Sequence, residues 1–306
     1  MPRVSVIIPC YNHGQYIGEA VQSVLNQTYQ DFEIIIVNDG STDADTNSIL
    51  NNHSMPKTRV LNTTNQGLAS ARNNGIREAR GKYILPLDAD DKISSNYLEE
   101  TVSILDNNQK VGIVYCEAQF FGEVNGKWEL PEYSLDAMLQ DNIIFCSGLF
   151  RKAEWERVGG YNPSLVDGWE DYDFWLCLIE LGLLVYKVPK IMFYYRVSFN
   201  SMVRSKSIDQ KVRAFVRIFN RHESLFVTNI GTLFQNLIEK REQLQANVAQ
   251  KEQSIVELAN TVHKLENTVH DLEATIDVLI NSASWRVTAP LRTTRSYLGR
   301  FLGCRR

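Results

Sequence analysis

Acidic side chains end two β-rich runs of this 306-residue chain, where they could bind a cation and a polar ligand. One group is Asp88-Ala89-Asp90-Asp91, at the end of YILPLD, and the other is Asp39-Gly40-Ser41-Thr42-Asp43, at the end of EIIIVND. Carboxylates two positions apart at a strand terminus can divide their roles, one binding Mg²⁺ or Mn²⁺ and the other a ligand hydroxyl. Both groups could instead be ordinary acidic turns, with Ser41 or Thr42 as a helix cap.

A third polar group, Pro9-Cys10-Tyr11-Asn12, ends the β-branched run VSVIIP. Tyr11 offers an aromatic face to a nucleotide base, and Asp39 could accept a hydrogen bond from the base or the ribose. The sequence has neither GxGxxG after its first strand nor GxxxxGK[ST] anywhere, which argues against a dinucleotide fold and a P-loop. A metal held by carboxylates is therefore the predicted way of binding phosphate.

Strands and helices in alternation position these three groups. The β-branched runs at residues 4–9, 33–39 and 83–88 predict strands, and apolar residues at helical spacing predict a helix over residues 14–27. This alternation predicts an α/β fold with a mostly parallel sheet, in which ligands bind at the carboxyl ends of the strands. Residues 111–200 predict a strand at 112–117, a helix at 171–181 and a second, small sheet.

The composition is that of a folded chain of about two domains. Hydrophobic residues make up 44% and charged residues 22%, which excludes a largely disordered or fibrous protein. The five cysteines include no CxxC pair, so we expect reduced thiols. No apolar run is long enough to span a membrane and no signal peptide is evident, so we expect a cytoplasmic protein.

A heptad repeat dominates residues 226–281, which we interpret as a helical linker and coiled-coil oligomerisation segment. Leucines or β-branched residues occupy most a and d positions, as at Leu237, Leu244, Val248, Ile255, Leu258, Val262, Leu265, Val269, Leu272, Ile276 and Leu279. This pattern favours a parallel two-stranded coiled coil, although Arg241 and Lys251 at core positions leave trimers and tetramers open. The alternative is one long helix folded back on the preceding domain.

Only the last part of the chain has a net positive charge. Residues 1–232 have a net charge of −6 and residues 233–280 of −4, whereas residues 281–306 contain six arginines and no acid. Residues 282–306 therefore predict a short basic amphipathic tail, with Trp285 at its start, on an anionic membrane surface. A nucleic-acid-binding arm is disfavoured because the protein as a whole is acidic, with a net charge of −4.

Five motifs together resemble the inverting family 2 glycosyltransferases with the GT-A fold. They are VSVIIPCYN, VNDGSTD, NQGLASARNNGI, the DAD of LPLDADD and GWEDYDFWL, in the family's order within residues 1–200. The resemblance implies a Rossmann-like mixed sheet flanked by helices, over residues 1–225. It implies a nucleotide site formed by Pro9, Tyr11, Asn12, Asp39, Arg72 and Asp88. It further implies that Asp90 binds the metal on a nucleotide diphosphate, Mn²⁺ or Mg²⁺.

The Glu170-Asp171 pair is similar to the family's ED motif, which implies that Asp171 is the catalytic base. Inverting transfer is a direct displacement at the anomeric carbon, so some group must take the proton of the incoming hydroxyl. An acidic first turn that only stabilises a helix is the alternative. Trp169, beside the pair, could stack on an acceptor sugar or pack in the interior.

One position departs from the family's pattern. Many members have a histidine two residues after a Tyr-Arg pair, whereas Tyr195-Arg196-Val197 is followed here by Ser198. None of the five histidines falls at this place, and we expect them at the surface. The ligand set beyond Asp90 is therefore open.

The carboxyl-terminal segment is similar to the extension of many bacterial surface-polysaccharide glycosyltransferases. This similarity implies a glycan or lipid-linked glycan acceptor and a peripheral location on the inner face of the cell membrane. For a glycosyltransferase of this kind we expect a UDP- or dTDP-sugar donor. The first alternative is a non-catalytic, oligomeric scaffold that binds nucleotide sugars. The second is a sugar-nucleotide pyrophosphorylase, for which the expected Gly-rich basic loop after the first strand is missing.

Overall fold

The computed structural model describes residues 1–52, 54–198 and 206–287. The chain divides into two compact units, Met1–Leu233 and the part from Phe234 onward. The first unit contains all nine strands of the described part of the chain, which form one sheet. The predicted α/β class is thus confirmed.

The first 86 residues form the parallel half of the sheet. Its elements are β1 (Val4–Cys10), α1 (Gly14–Leu25), β2 (Phe32–Asp39), α2 (Ala44–Asn51), β3 (Thr58–Thr63), α3 (Leu68–Glu78) and β4 (Tyr83–Pro86). β1 pairs in parallel with both β2 and β4, and β2 pairs in parallel with β3. β1, β2 and β4 are buried on both faces, as their β-branched runs predict, whereas β3 at the edge of the sheet is only partly buried. Asp88 follows the end of β4 instead of belonging to it.

The second half completes the same sheet, so the expected second, small sheet is wrong. Its elements are β5 (Lys92–Ile93), α4 (Tyr97–Asn107), β6 (Val111–Gly122), β7 (Gly126–Trp128), α5 (Leu135–Gln140), β8 (Leu149–Arg151), α6 (Lys152–Val158), α7 (Glu170–Glu180) and β9 (Leu184–Val197). The strand order is β3-β2-β1-β4-β8-β6-β9-β5, with β7 on β6. β8 pairs antiparallel with β4 and β6, and the long β6 and β9 are parallel partners.

A glycine lets α3 approach the sheet closely. A Cβ atom on Gly75 would lie 2.5 Å from Ile7 and 2.8 Å from Val37, both in the core. Any larger residue would push the helix away from β1 and β2. Arg72 lies one turn earlier on the same face of α3, so this contact also sets its position.

Helices form the rest of the described chain. They are α8 (Ile208–Arg221), α9 (Glu223–Thr228), α10 (Ile230–Asn281) and α11 (Ala283–Val287). α10 is a continuous helix of 52 residues, none of them buried, which confirms the predicted helix and leaves the coiled coil a prediction. Residues 288–306, with most of the predicted tail, lie outside the described residues. No described helix is long and apolar enough to cross a membrane.

Candidate active site

Asp39, at the end of β2, holds the loop that leads into α3. Its buried carboxylate accepts hydrogen bonds from the backbone N–H groups of Gln66 at 3.1 Å and Gly67 at 2.9 Å. The Thr63 hydroxyl, at the end of the neighbouring β3, donates to the same carboxylate at 3.2 Å. Asp39 thus joins the ends of two strands and the start of a helix at the carboxyl edge of the sheet.

Asn12 ties the end of β1 to the loop before α2. Its side-chain oxygen accepts the N–H groups of Thr42 at 2.8 Å and Asp43 at 2.9 Å, while its backbone takes a left-handed φ of 57°. Asp43, and neither Ser41 nor Thr42, caps α2, accepting a hydrogen bond from Thr46 N–H at 2.8 Å. The predicted helix cap is therefore present in this loop, but the capping residue is Asp43.

Tyr11 is the predicted nucleotide-site residue of this edge whose side chain is exposed and can contact a ligand. Tyr11 follows β1 and its side chain is 44% exposed. Pro9 lies within β1 and is buried, so it contributes backbone and shape.

Arg72 connects the predicted nucleotide site with the ED motif. Its side chain is 1% exposed and donates to Asp88 Oδ1 at 2.7 Å and to Glu170 Oε1. The Cys146 thiol donates to the other Asp88 oxygen at 3.3 Å. Arg72 therefore lies at the predicted site as an ion-pair bridge between α3, the turn after β4 and α7. Cys146 is a contact that the sequence did not indicate.

Asp90 is the carboxylate best suited to a cation. Burial and the negative charge of Asp88 raise its pKa, and no other described residue hydrogen-bonds its carboxylate. Two nearby acids, one of which receives no hydrogen bond from any other described residue, form an electrostatic arrangement that a divalent cation would relieve. The residues present therefore fit Mg²⁺ or Mn²⁺ at Asp90.

Arg196 fixes the turn that carries Asp90. Its guanidinium Nε donates to the Asp90 carbonyl at 2.9 Å, and its backbone N–H donates to the buried Asp91 carboxylate at 2.8 Å. The guanidinium carbon lies 4.6 Å from the Tyr16 ring centre and 4.4 Å from that of Phe121. Arg196 thus holds the acidic turn with both its side chain and its backbone N–H. It lies two residues before Ser198, the position at which the sequence departs from the family's histidine.

Asp171 has a raised pKa, as its predicted role of general base requires. Burial, followed by the negative charge of Glu170, raises its pKa to about 7, while the positive charge of Arg72 opposes the rise. Glu170 and Asp171 open α7, so the stabilising effect of acids in a first turn coexists with this role. A carboxylate with a pKa near neutrality can both accept and release a proton at physiological pH.

Trp169, at the N-cap of α7, lies at the edge of the site. Its φ of 63° is left-handed, and its ring packs on Phe215 of α8 with centroids 5.6 Å apart. The side chain is half-buried. Both predicted roles of Trp169, packing in the interior and stacking on an acceptor sugar, therefore stay open.

His222 contradicts the expected surface position of the histidines. It is 1% exposed, and its ring nitrogens lie 2.9 Å from Glu180 and 3.3 Å from Asp173. Burial disfavours its charged form, but hydrogen bonds to Asp173, Cys177 and Glu180 outweigh burial and raise its pKa to about 10. A histidine at a helix junction gives no sequence signal for this pairing.

Asp173, Cys177 and His222 of the same cluster bring three possible metal-ligand atoms within 4.8 Å of one another. Arg221 already pairs with Asp173, and a protonated His222 neutralises its neighbours. The cluster therefore needs no ion, and a metal at Asp90 stays a prediction.

Comparisons with known proteins identify the family of this chain. The family model described as glycosyl transferase family 2 matches residues 5–163. Chondroitin synthases of Escherichia coli and of Pasteurella multocida (strain Pm70) are both 31% identical, over 72% and 83% of this chain. The chain spans only 32% and 27% of their lengths. An uncharacterized glycosyltransferase of Haemophilus influenzae is 30% identical over 70% of this chain and 76% of its own.

A solved structure shows the same fold. The crystal structure of S. aureus TarS 1-349 in complex with UDP-GlcNAc matches with a TM-score of 0.61 at 20% identity, covering 74% of this chain and 66% of that one. The predicted GT-A fold is confirmed by this likeness. Because the family model matches more than half of the chain, this protein belongs to glycosyl transferase family 2.

Proposed function

We propose that the protein is a metal-dependent, inverting glycosyltransferase that uses a UDP- or dTDP-sugar and extends a surface glycan. The observation that carries the proposal is Asp171, a carboxylate with a pKa raised to about 7, linked through Glu170 and Arg72 to Asp88. This arrangement brings a base close to acids suited to a nucleotide and a cation.

In this reaction Asp171 accepts the proton of an acceptor hydroxyl. The hydroxyl oxygen forms a bond to the anomeric carbon of the donor while the bond from that carbon to the diphosphate oxygen breaks. The nucleoside diphosphate leaves with the bonding electron pair, and the configuration at carbon inverts. Asp90 would hold a divalent cation, which when bound would supply Lewis-acid stabilisation of the diphosphate charge. Arg72 pairs with Glu170, the residue next to the base in the chain.

The compared proteins support the choice of donor and acceptor. One solved relative carries UDP-GlcNAc, and two similar proteins are named chondroitin synthase, so a uridine donor and a polysaccharide acceptor are the favoured chemistry. We further propose that the acceptor is a glycan or lipid-linked glycan at the inner face of the cell membrane, bound in part by Trp169. The basic tail over 282–306 would attach the protein there, and no nucleic-acid partner is expected.

We also propose that α10 joins copies of the chain as a parallel coiled coil, with a dimer favoured. Its heptad residues are more than half exposed in the single chain, for example Leu258 at 64% and Leu265 at 61%. A partner helix would bury this row. Leu258→Asp with Leu265→Asp should yield monomers in sedimentation velocity, whereas the exposed pair Glu257→Asp with Lys264→Asp should leave the assembly intact. An unchanged assembly of the leucine variant would refute the coiled coil.

Calorimetric binding of UDP, dTDP, GDP and CMP, each with and without Mn²⁺, tests the proposed activity. Tight, metal-dependent binding of UDP or dTDP is expected, and Asp90→Asn should remove the metal dependence. Asp31→Asn, at an exposed acid before β2, is the matched control and should bind as wild type. Binding with full affinity but no turnover of any donor would favour the scaffold alternative. No binding at all would refute the proposed function.

A further inference from the structure

Helix α8 has an apolar face that the first unit leaves open. Ile208 is 80% exposed, Val212 53%, Val216 51% and Phe219 38%, a row spaced at three or four residues. With the floor residues Phe215 and Phe226 they line a groove of about 400 Å³. The opposite side of α8 buries Ala214 and Ile218 against the domain, so the helix cannot turn its apolar row inward.

The charges around this row are basic, although the domain is acidic. Residues 206–221 contain five basic side chains and one acidic side chain, whereas residues 1–232 have a net charge of −6. Two of the arginines are committed to the domain, Arg217 to the Ser164 carbonyl and Arg221 to Asp173. Lys211 and Arg213 form no side-chain hydrogen bond or ion pair with the described residues, so both remain available to anions.

The groove is continuous with the candidate active site. Phe215, on its floor, packs on Trp169 at 5.6 Å and on Tyr172 at 6.0 Å between ring centroids. These two residues flank Glu170 and Asp171 in the sequence, and Asp171 is the proposed base. Phe215 therefore connects the floor of the α8 groove with the first turn of α7, which carries the proposed base.

We infer that the α8 face is a docking surface for an anionic lipid bilayer, which orients Asp171 toward an acceptor held in that bilayer. Exposed aliphatic and aromatic side chains enter the boundary between headgroups and acyl chains, while Lys211 and Arg213 contact anionic headgroups. The identity of the acceptor rests on the proposed function, but the docking surface does not. This contact is separate from any made by the tail at 282–306.

A fluorophore on α8 reports this contact directly in the full-length chain. Val212→Cys in a Cys304→Ser background is labelled with nitrobenzoxadiazole, since the four described cysteines are buried. Vesicles of phosphatidylcholine with phosphatidylglycerol should shift the emission to the blue, and brominated lipids should quench it. The same label at Val124→Cys, in an exposed turn between β6 and β7, should not respond. Pure phosphatidylcholine should give a much weaker response.

A paired substitution tests the energetic role of the row. Val212→Asp with Val216→Asp should weaken binding to anionic vesicles at least about tenfold. Val124→Asp with Leu184→Asp adds the same charge at exposed apolar positions elsewhere and should leave binding unchanged.

Two results would overturn the inference. In one, the chain binds vesicles while the label at position 212 stays in water, which assigns binding to the tail alone. In the other, the label shifts without vesicles and in proportion to protein concentration, which assigns the groove to a second copy of the chain. UDP binding measured in parallel separates this test from that of the proposed function, because the paired α8 variant should bind UDP as wild type.

Discussion

Arg72→Met removes the buried cation that joins the two halves of the candidate site. Glu170, with a side chain 5% exposed, would lose its ion-pair partner inside the protein. Removing one member of a buried pair costs about 3–5 kcal/mol, because the other charge stays desolvated. Asp88 is 29% exposed and can be solvated by water, so its share of the loss is small and a value near 3 kcal/mol is expected.

Urea unfolding of the full-length chain at pH 8, followed by tryptophan fluorescence, measures this loss. Arg77→Met is the matched control, since Arg77 is exposed on the same helix, and should change the unfolding free energy by less than about 0.5 kcal/mol. Adding Glu170→Gln to Arg72→Met should recover part of the loss, because the unpaired carboxylate is gone. An Arg72→Met protein within about 1 kcal/mol of wild type would refute the ion-pair bridge.

Three further predictions address protonation and the loop at the strand ends. Burial and Glu170 raise the pKa of Asp171 to about 7, so kcat/KM should rise with pH through about 7 and level off above it; a flat profile would exclude Asp171 as the base. Asn12→Ala removes two acceptor contacts to the loop before α2 and should raise the Kd for UDP about fivefold in calorimetry, whereas Asn52→Ala, at the C-cap of α2, should not. His222 has its pKa raised from an ordinary 6.5 to about 10. Its charged form therefore stabilises the fold fully below about pH 6.5, and this contribution is lost as pH rises through about 10. The difference in unfolding free energy between wild type and His222→Asn should shrink over that range, and a constant difference would contradict the charged pair.

Local patterns explain which parts of the fold the sequence could predict. The first three predicted strands are β-branched runs closed by turn residues, and each agrees with a strand of the structure within two residues. β8 is only three residues long and pairs with two distant strands, so no local pattern marks it. The parallel pairing of β6 with β9 joins segments about 70 residues apart and likewise has no local signal. That is why a second sheet was expected where one sheet exists.

The candidate site divides in the same way. The acidic groups at strand ends could be found because they stand directly after recognisable strands. The bridge from Arg72 to Glu170 spans 98 residues, and the contact from Cys146 to Asp88 spans 58, so neither follows from spacing. From its residue type alone, His222 is expected at the surface. Its two acidic neighbours arise only from its packing against α7.

The most direct test of the account compares Asp171→Asn with wild type in sugar transfer and in donor binding. Transfer of labelled sugar from the donor that binds best, into an acceptor fraction extracted from cell envelopes, should fall a hundredfold or more, on the order of the usual contribution of a general base. The Kd for the nucleoside diphosphate should stay within about twofold of wild type, because Asp171 does not bind the nucleotide in this account. Transfer at a rate near that of wild type would contradict the assignment of Asp171 as the catalytic base.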